Sequence, residues 1–349
     1  MVQRVDYIVV GCGLAGIAFC EQLRTHGKSF LMFNDDSQQS SLVAAGMYNP
    51  VILKRFSEVW MAEEQLKLAK PFYKELEKTL GVTLDFEFRL LRRFSSIEEQ
   101  NMWFSAMDKP NLEPYLSDIL VKNSNSALDA PFGFGEVLQA GRIDTNVLID
   151  SYLKLLKKSS LLITEKLDYQ NLTISDNNIL YNNIGATNIV FCEGFGMKSN
   201  SFFNQLPLNG TKGEVLIIEA PDLKIDFAVK SSVFIIPEGN NRYFVGATYN
   251  WEDKTNHITS QARTELLEKL KTFLKCDFKV VSQVAGIRPT VKDRRPLVGT
   301  SLEYKNVHVF NGLGTRGVMM APYVAKELFE HIELAKPLNP EINITRFSS

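Results

Sequence analysis

A glycine-rich turn near the N-terminus constrains the fold more than any other part of this sequence. An apolar run at residues 7–10 leads into three glycines with the spacing G-x-G-x-x-G, and a helical pattern follows over Leu14–Thr25. The three glycines are Gly11, Gly13 and Gly16. Gly27 is placed to end the helix, and residues 29–33 form a second apolar run. This order predicts a strand, a tight turn, a helix and a returning strand.

Each glycine of the turn is expected to have its own role. Gly11 permits the tight turn, Gly13 lets the backbone approach a pyrophosphate, and Gly16 allows the helix and the strand to pack closely. The first helical turn, with Leu14 and Ala15, has N–H groups without a partner inside the helix, and these attract an anion. The unit therefore predicts a dinucleotide-binding site.

The residue expected to bind the ribose of the dinucleotide departs from the usual pattern. About 20 residues after such a turn, an acidic side chain commonly binds the ribose hydroxyls. In this chain the position is Asn34, and Asp35 and Asp36 follow it. Asn34 can donate and accept hydrogen bonds, and either aspartate is an alternative ligand. No basic residue follows directly, so the sequence does not favour NADP.

Composition excludes several classes of protein. The 39 lysines and arginines balance 40 acidic residues, which argues against general attraction to nucleic acid or to an anionic membrane. No apolar run reaches the ~20 residues of a membrane-spanning helix, and no signal-peptide cleavage pattern follows the first strand. We therefore expect a cytoplasmic protein.

The four cysteines and four histidines lack metal-ligand spacing, so we expect neither disulfides nor a metal site. No sequence feature specifies an oligomeric state.

The rest of the chain contains two kinds of segment. An amphipathic pattern at residues 61–80 predicts a helix that covers a core. The region from residue 213 to residue 287 predicts a mostly antiparallel sheet with one helix. Its strand candidates are residues 214–219, 232–237, 242–248 and 279–287, and its helix is residues 260–274. Two more apolar strands, residues 187–192 and 306–310, suit the parallel sheet that begins at the N-terminus.

These segments predict an α/β protein with two domains. A Rossmann-like nucleotide-binding domain with a parallel sheet is expected to be discontinuous. An α+β substrate domain with a mostly antiparallel sheet interrupts it. The first domain is predicted to comprise residues 1–60, 130–210 and 286–349, and the second to comprise residues 61–129 and 211–285.

A second glycine-rich loop lies about 300 residues after the first. It follows the strand at residues 306–310 and precedes an amphipathic helix at residues 318–332. The loop and the first helical residue are Gly312, Leu313, Gly314, Thr315, Arg316, Gly317 and Val318. A helix N-terminus has unpaired N–H groups and about half a positive charge, which would stabilise the anionic pyrimidine edge of a reduced flavin. The two glycine segments together favour a flavin over a nicotinamide.

The order of several motifs resembles the D-amino-acid oxidase superfamily, particularly its glycine oxidase and sarcosine oxidase-like branch. Besides the two glycine segments, the motifs are Ala44-Ala45-Gly46-Met47, Phe234-Ile235-Ile236-Pro237, Val245-Gly246-Ala247-Thr248, Gly286-Ile287-Arg288-Pro289 and Pro296-Leu297-Val298-Gly299. The resemblance implies an extended, noncovalently bound FAD at the interface with the antiparallel domain. It places Ser40 and Ser41 near the pyrophosphate, Leu167 near the adenine, and residues 45–47 against the flavin ring. The loop at residues 312–317 would border the pyrimidine edge.

The same resemblance assigns the substrate carboxylate to Arg288 and Arg316. A guanidinium suits a carboxylate because two parallel N–H bonds form at once. Two plainer interpretations stay open. Arg288 could form an ion pair, for example with Asp293, and Arg316 could be a surface charge of the C-terminal helix.

One residue of the implied substrate pocket departs from the family pattern. Phe234 stands where glycine oxidases have a tyrosine that helps to bind the carboxylate. Tyr48, Tyr243 or Tyr249 could supply the missing hydroxyl from another direction. Alternatively, the substrate is not a simple α-amino acid.

Three functions follow from the resemblance and from these departures. The first is oxidation of an amino acid or secondary amine, of the glycine, sarcosine or D-amino-acid type. A hydride would pass from the α-carbon to flavin N5, the imine would hydrolyse, and oxygen or another acceptor would reoxidise the flavin. The second is oxidation of carboxymethylaminomethyl-uridine in tRNA, because residues 246–249 and the C-terminal loop also resemble the oxidase domain of that bifunctional enzyme. The third is a flavin-binding protein without amine oxidase activity.

Overall fold

The computed structural model describes residues 2–176 and 178–347. In these residues the α-helices are α1 (Leu14–Thr25), α2 (Ser40–Val43), α3 (Ala62–Leu80), α4 (Ile97–Met107), α5 (Thr145–Lys158), α6 (Ser260–Lys271) and α7 (Gly317–Leu334). The strands are β1 (Gln3–Val10), β2 (Phe30–Phe33), β3 (Met47–Tyr48), β4 (Val51–Ile52), β5 (Ser57–Glu58), β6 (Asp85–Glu87), β7 (Leu90–Arg93), β8 (Phe134–Val137), β9 (Gly141–Ile143), β10 (Leu162–Ile163), β11 (Leu172–Ser175), β12 (Asn178–Tyr181), β13 (Ile184–Phe191), β14 (Thr211–Glu219), β15 (Ala228–Lys230), β16 (Phe234–Gly239), β17 (Arg242–Gly246), β18 (Lys279–Arg288), β19 (Leu297–Thr300) and β20 (Val307–Asn311).

The first sheet is built around β1. Strands β10, β2, β1 and β13 lie side by side and run parallel, and β20 continues the parallel set beside the second half of β13. The hairpin of β11 and β12 occupies the first half of β13, and β19 pairs antiparallel with β20. The predicted β-α-β unit and the parallel sheet are confirmed.

Both faces of β1 are buried, as expected for a central parallel strand. Tyr7 and Val9 pack in the cluster that contains α1 and α7, whereas Ile8 and Val10 pack in a second cluster on the other face. Successive side chains of a strand point to opposite faces, so this alternation follows from the strand geometry. Helix α7 also packs against α1 and α3.

The second sheet has the order β18-β14-β17-β16-β15-β7-β8. Its neighbours are antiparallel except for β15 and β7, which run parallel. The predicted mostly antiparallel sheet is therefore confirmed. The predicted strand at 232–237 begins at Phe234, because the Ser231 N–H donates to Val233 O in the preceding turn. The predicted helix at 260–274 ends at Lys271.

The predicted domain boundaries stay a prediction, and one strand departs from them. Strand β8 lies in residues 130–210, which were assigned to the nucleotide-binding domain, yet it pairs with β7 in the antiparallel sheet. Residues 1, 177, 348 and 349 of the predicted segments lie outside the described residues. The remaining strands form two small sheets, β3-β9-β6 and β4-β5. In the described part of the chain, no helix combines the length and apolarity that a bilayer crossing requires.

Helix α3 supports the start of α7 through one hydrogen bond. Pro322 lies in the first turns of α7 and has no N–H, so the carbonyl of Val318 four residues earlier lacks its usual helical donor. The hydroxyl of Tyr73, a fully buried residue of α3, donates to that carbonyl at 2.8 Å. Tyr73 therefore satisfies a carbonyl that the proline would otherwise leave unpaired.

Candidate active site

A cavity of about 760 Å³ extends from the first glycine turn to the second. The carboxyl ends of β1, β2, β13 and β20 open into it, and strands of the antiparallel sheet form part of its wall. Ligands of open α/β sheets bind at this edge, and the volume lies within the roughly 300–1,000 Å³ of small-molecule sites. The cavity is therefore the candidate site.

Most of the predicted site residues line this one cavity. Those in its wall are Gly11, Gly13, Leu14, Ala15, Asn34, Asp35, Ser40, Ser41, Ala45, Gly46, Met47, Tyr48, Leu167, Phe234, Tyr249, Arg288, Gly314, Thr315, Arg316, Gly317 and Val318. Gly16 and Gly312 are not in the wall. A Cβ on Gly16 would stand 1.9 Å from the carbonyl oxygen of Gly11, so this glycine permits the close approach of α1 to β1. Gly312 has φ +76°, so it permits the second glycine turn although it lies outside the cavity wall.

The first glycine turn presents bare backbone to the cavity. Gly11 has φ +103°, and a Cβ there would lie 2.5 Å from the carbonyl oxygen of Cys192 on the neighbouring chain segment. The nearest atom to a Cβ on Gly13 would be Ser41 Oγ, at 3.2 Å. The same oxygen accepts a long hydrogen bond of 3.5 Å from the Leu14 N–H. The start of α1 thus faces the cavity with Ser41 close to it.

The residue after β2 binds the glycine turn. Asn34 Oδ1 accepts a hydrogen bond from the Cys12 N–H at 2.8 Å. Asp35 instead accepts hydrogen bonds from the N–H and hydroxyl of Ser37, at 3.2 and 2.6 Å, in its own loop. Since the Asn34 oxygen is engaged, its amide N–H groups are what it can offer to a ligand.

The segment at residues 44–47 is held in place by β9. Gly46 has φ +71°, and a Cβ there would stand 1.8 Å from the carbonyl oxygen of Ile143. Arg142 Nε donates to the Ala45 carbonyl at 3.0 Å, and Met47 pairs with Arg142 in the small sheet. Only glycine suits position 46, because the backbone of β9 occupies the space of a side chain.

The second glycine loop is tied to the end of β13 by a single side chain. Asn311 Nδ2 donates to the Gly194 carbonyl at 2.8 Å, and Asn311 Oδ1 accepts from the Gly312 N–H at 2.8 Å. The Gly314 N–H donates to the Pro289 carbonyl at 3.0 Å, which fixes the loop beside Arg288. Helix α7 begins directly after this loop, at Gly317.

Arg288 lies in the cavity without a carboxylate partner. Its Nη1 donates to the Thr248 carbonyl at 3.2 Å, and its guanidinium carbon lies 4.6 Å from the ring centroid of Tyr249. Burial lowers the pKa of Arg288 from its usual value. In the described residues Arg288 forms no ion pair, and Asp293 binds Arg346 at 2.9 Å. The interpretation of Arg288 as the partner of Asp293 is therefore wrong.

Arg316 is the second cation of this end of the cavity. Its Nη1 donates to the Asn49 carbonyl at 3.1 Å, and burial lowers the pKa of Arg316 to about 10. It forms no ion pair with any residue in the described ranges, and its side chain lines the cavity wall. The interpretation of Arg316 as an exposed surface charge is wrong, because the residue is only partly exposed and lines the cavity wall. Two unpaired guanidiniums therefore share one cavity.

The tyrosines proposed to replace the missing hydroxyl differ in their placement. Tyr48 lines the cavity, but its hydroxyl donates to Asp85 Oδ1 at 2.8 Å. Tyr243 is buried in the core of the antiparallel sheet and is not part of the cavity wall. Tyr249 lies beside Arg288, is 61% exposed and lines the cavity, as does Phe234. Of the three tyrosines, Tyr249 is the one placed to contact a ligand that Arg288 and Arg316 bind.

The family of the chain follows from its sequence. The DAO family, described as FAD dependent oxidoreductase, matches residues 6–331. The chain belongs to the DAO family. FAD is its cofactor, and the resemblance inferred from the motifs is confirmed.

Two relatives show how broad this family is. The DAO-family chain is 23% identical to glycine oxidase of Bacillus subtilis (strain 168) over 366 residues, covering 98% of this chain and 95% of that protein. It is 24% identical over 323 residues to the tRNA 5-methylaminomethyl-2-thiouridine biosynthesis bifunctional protein MnmC of Legionella pneumophila (strain Corby). That match covers 86% of this chain and 47% of the bifunctional protein, so the chain spans about half of it.

Solved structures share the fold of this chain. Glycine oxidase from Geobacillus kaustophilus superposes with a TM-score of 0.77 at 19% identity, covering 99% of each chain. Iminodiacetate oxidase (IdaA) from Chelativorans sp. BNC1 superposes with a TM-score of 0.77 at 16% identity, covering 96% of each chain. At these identities the superpositions establish the fold of the DAO-family chain.

Three cavity residues of this DAO-family protein escaped the sequence analysis. Glu193 follows β13, accepts hydrogen bonds from Tyr169 and from Asn200 Nδ2, the latter at 2.7 Å, and has a pKa raised mainly by burial. Gly213 lies under Arg288, and Lys230 lies beside Phe234. Glu193 could have been noticed, because it ends a buried parallel strand. Gly213 and Lys230 could not, because their positions depend on strand pairing.

Proposed function

We propose that this DAO-family enzyme oxidises a small amine that carries a carboxylate, of the glycine, sarcosine or D-amino-acid type. The observation that supports the proposal is the convergence of two unpaired guanidiniums, Arg288 and Arg316, in the cavity that also contains both glycine segments. Partly buried cations are stabilised by a partner of opposite charge, and none of the described side chains supplies one. A substrate carboxylate would satisfy both.

The cavity residues fit FAD at both ends. At the first end, the bare backbone of Gly13 and the start of α1 leave room that a side chain would fill. At the second end, the start of α7 faces the cavity through Gly317 and Val318. The residues proposed to hold FAD noncovalently are Gly11, Gly13, Leu14, Ala15, Asn34, Ser40, Ser41, Ala45, Gly46, Met47, Leu167, Gly314, Thr315, Gly317 and Val318. Gly16 and Gly312 would act by shaping the two turns.

The chemistry of the site divides between the cofactor and the chain. When bound, FAD accepts two electrons as a hydride from the substrate α-carbon and passes them to oxygen or another acceptor. Arg288 and Arg316 would bind the carboxylate and thereby fix the direction in which the α-carbon points. Phe234 and the strands around it would exclude water from that carbon. Hydrolysis of the resulting imine releases the carbonyl product.

The amine is expected to react in its neutral form. The acidic side chains in the cavity wall are Asp35, Asp36, Glu165 and Glu193, which lie toward the nucleotide end. No histidine belongs to the wall among the residues that the structure describes. The proton of the ammonium form must therefore leave to water before hydride transfer, and the two arginines favour that loss because they repel a second positive charge.

The test is an anaerobic titration of the yellow protein with glycine, sarcosine, D-alanine and L-proline, followed by absorbance. Bleaching by one of these amines supports the proposal. Arg288→Lys should raise the apparent dissociation constant of that amine by about 10- to 100-fold, since the bidentate contact is lost. The matched control is Arg263→Lys on the exposed side of α6, which should leave the constant unchanged. An unchanged constant in Arg288→Lys would contradict the assigned role of Arg288.

The relation to the bifunctional tRNA enzyme supports a second candidate substrate. That protein matches 86% of this chain. The basic residues Lys292, Arg294 and Arg295 are partly neutralised, because Arg295 forms an ion pair with Glu341 at 3.0 Å. A carboxymethylaminomethyl-uridine nucleoside and a tRNA that contains it belong in the same titration. Reduction by the tRNA and by none of the free amines would favour this second candidate, and a protein that nothing reduces would be a flavin binder without amine oxidase activity.

A further inference from the structure

Lys230 is a third partly buried cation of the cavity, after Arg288 and Arg316, and has no role in the site described above. It is the last residue of β15, it is partly buried, and its side chain lines the cavity wall. Its Nζ lies 4.7 Å from the ring centroid of Phe234. Among the residues that the structure describes, its one hydrogen-bond acceptor is the Ser232 carbonyl, at 3.4 Å. In the described part of the chain, Lys230 forms no ion pair.

Two nearby cations disfavour the charged form of Lys230, so an anion beside it would be stabilising. Its cationic neighbours are Arg92 and Lys269, and each already has an acidic partner, Glu99 and Glu265 respectively. Burial, together with these two cations, lowers the pKa of Lys230 to about 8. An ammonium held in this way is stabilised when an anionic ligand enters the cavity.

Lys230 and Arg288 stand at two ends of one face of the antiparallel sheet. A row of paired residues crosses four strands: Val215 on β14, Gly246 on β17, Phe234 on β16 and Lys230 on β15. Gly213 lies two residues before Val215, so it shares the face of this row, and the Arg288 guanidinium covers it. Three strand spacings of roughly 4.8 Å separate β14 from β15, about 14 Å in total.

Arg288 and Lys230 both line the cavity on this face of the sheet. The wall between them is formed by Phe234 and Gly246, neither of which has a polar side chain. Along this face the cavity wall is cationic at Arg288, apolar at Gly246 and Phe234, and cationic at Lys230. A small molecule with an anionic group at each end and an apolar or amine centre would complement that sequence of charges.

We propose that the substrate is an amine with two carboxylates, one bound by Arg288 and Arg316 and the other by Lys230. The inference rests on the proposed function and specifies its substrate class. The proposal also explains why position 234 needs no hydroxyl. The ring of Phe234 offers an aromatic face to the ammonium of Lys230, and Lys230 itself makes the ionic contact with the second carboxylate.

The first experiment compares amines that differ by one carboxylate. Sarcosine is N-methylglycine, iminodiacetate has a second carboxylate on that N-methyl carbon, and N-(2-carboxyethyl)glycine lengthens the second arm by one methylene. The wild-type enzyme should show a kcat/KM at least about 10-fold higher for one of the dicarboxylates than for sarcosine. Lys230→Gln should remove about 10- to 100-fold of kcat/KM for the dicarboxylate, mostly through KM, and should change that for sarcosine less than about threefold. Lys230→Arg should retain the preference.

A binding measurement makes the result independent of turnover. Glutarate and acetate, which cannot be oxidised as amines, are titrated against the flavin absorbance of the holoenzyme. Glutarate should bind more tightly than acetate in the wild type, and Lys230→Gln should abolish the difference. The control is Lys54→Gln, which removes an exposed lysine of the same cavity wall and should leave both affinities unchanged.

The outcomes separate the two proposals. Equal use of sarcosine and the dicarboxylates by the wild type and by Lys230→Gln would overturn this inference and leave the proposed function standing. Equal glutarate affinity in both proteins would overturn it as well. Failure of every amine to reduce the flavin would overturn the proposed function, and this inference with it.

Discussion

The guanidinium of Arg288 lies against the backbone of Gly213 on the neighbouring strand, where a Cβ would stand 2.0 Å from Nη2. Gly213→Ala should therefore displace the guanidinium while leaving strand pairing intact. We expect kcat/KM for a carboxylate substrate to fall by at least about 10-fold, mainly through KM, as for loss of a hydrogen bond to a charged group. Steady-state kinetics measure this effect.

The matched control for Gly213 is Gly185→Ala on β13. The nearest atom to a Cβ at Gly185 would be Val2 Cγ1 at 3.3 Å, far from the cavity. Equal kinetics for Gly213→Ala and the wild type would show that Arg288 can bind substrate from another position.

Removing the hydroxyl of Tyr73 should destabilise the start of α7. Tyr73→Phe leaves the Val318 carbonyl without a donor, because Pro322 has no N–H to supply. We expect the free energy of unfolding to fall by about 1–3 kcal/mol, the cost of an unsatisfied buried acceptor. Chemical denaturation measures the change. Tyr323→Phe is the control, since its hydroxyl donates to the weakly accepting sulfur of Met61, at 3.3 Å, and not to a backbone carbonyl. A larger loss in Tyr323→Phe than in Tyr73→Phe would contradict this explanation.

Lys212 should hold the loop that follows Tyr249. It is 1% exposed and forms ion pairs with Asp253, at 2.5 Å, and with Glu214, at 3.4 Å. Lys212→Met leaves Glu214 buried without its cation, so we expect the free energy of unfolding to fall by about 3–5 kcal/mol. The double variant Lys212→Met/Glu214→Gln should recover part of this loss, which denaturant titrations of the cycle would reveal. Additive losses would mean that the pair does not interact.

The pair of Lys212 and Asp253 also has a pH dependence of defined sign. The hydrogen bond from Lys212 is the largest cause that lowers the pKa of Asp253 to about 2. A carboxyl with a lowered pKa stabilises the folded state above its unfolded pKa, and this contribution disappears as the pH falls through about 2.

Acid should destabilise the first sheet through His308. This imidazole is buried between Thr300 and Asn188, and burial lowers its pKa to about 3, with a smaller contribution from His331. The unfolded chain binds a proton near pH 6.5, so the free energy of unfolding should decrease as the pH falls from about 6.5 toward 3. Thermal unfolding between pH 7 and 4 should show a smaller decrease for His308→Gln than for the wild type. The control, His26→Gln, removes an exposed imidazole. Parallel pH profiles for the wild type and His308→Gln would exclude this origin.

The parts of the site that were predicted from sequence are those set by local backbone geometry. Gly11 and Gly46 need positive φ and lack room for a side chain, and Gly27 ends α1 with φ +68°. Such requirements restrict the residue type at one position, so they are visible in the sequence. The long elements α1, α3 and α7 were likewise predicted from their periodicity.

The parts that escaped prediction depend on pairing between distant segments. Gly213 meets Arg288 only because β14 pairs with β18 in one register. Lys230 enters the cavity only because β15 joins β16 and β7. The short strands β7 and β8 have too few residues to show a period, and the hydroxyl of Tyr48 turns away toward Asp85, a residue on another strand of a small sheet. None of these relationships has a local signature.

The side chain of Asn311 ties the second glycine loop to the segment that follows β13. It donates to the Gly194 carbonyl of that segment and accepts from the Gly312 N–H, so the loop cannot slide past the segment without breaking one of these bonds. The same segment lies against the first glycine turn, because the Cys192 N–H donates to the Val10 carbonyl at 2.7 Å. The chain itself therefore holds the two ends of the surface proposed to receive FAD at a set distance, and less binding energy is spent on ordering that surface.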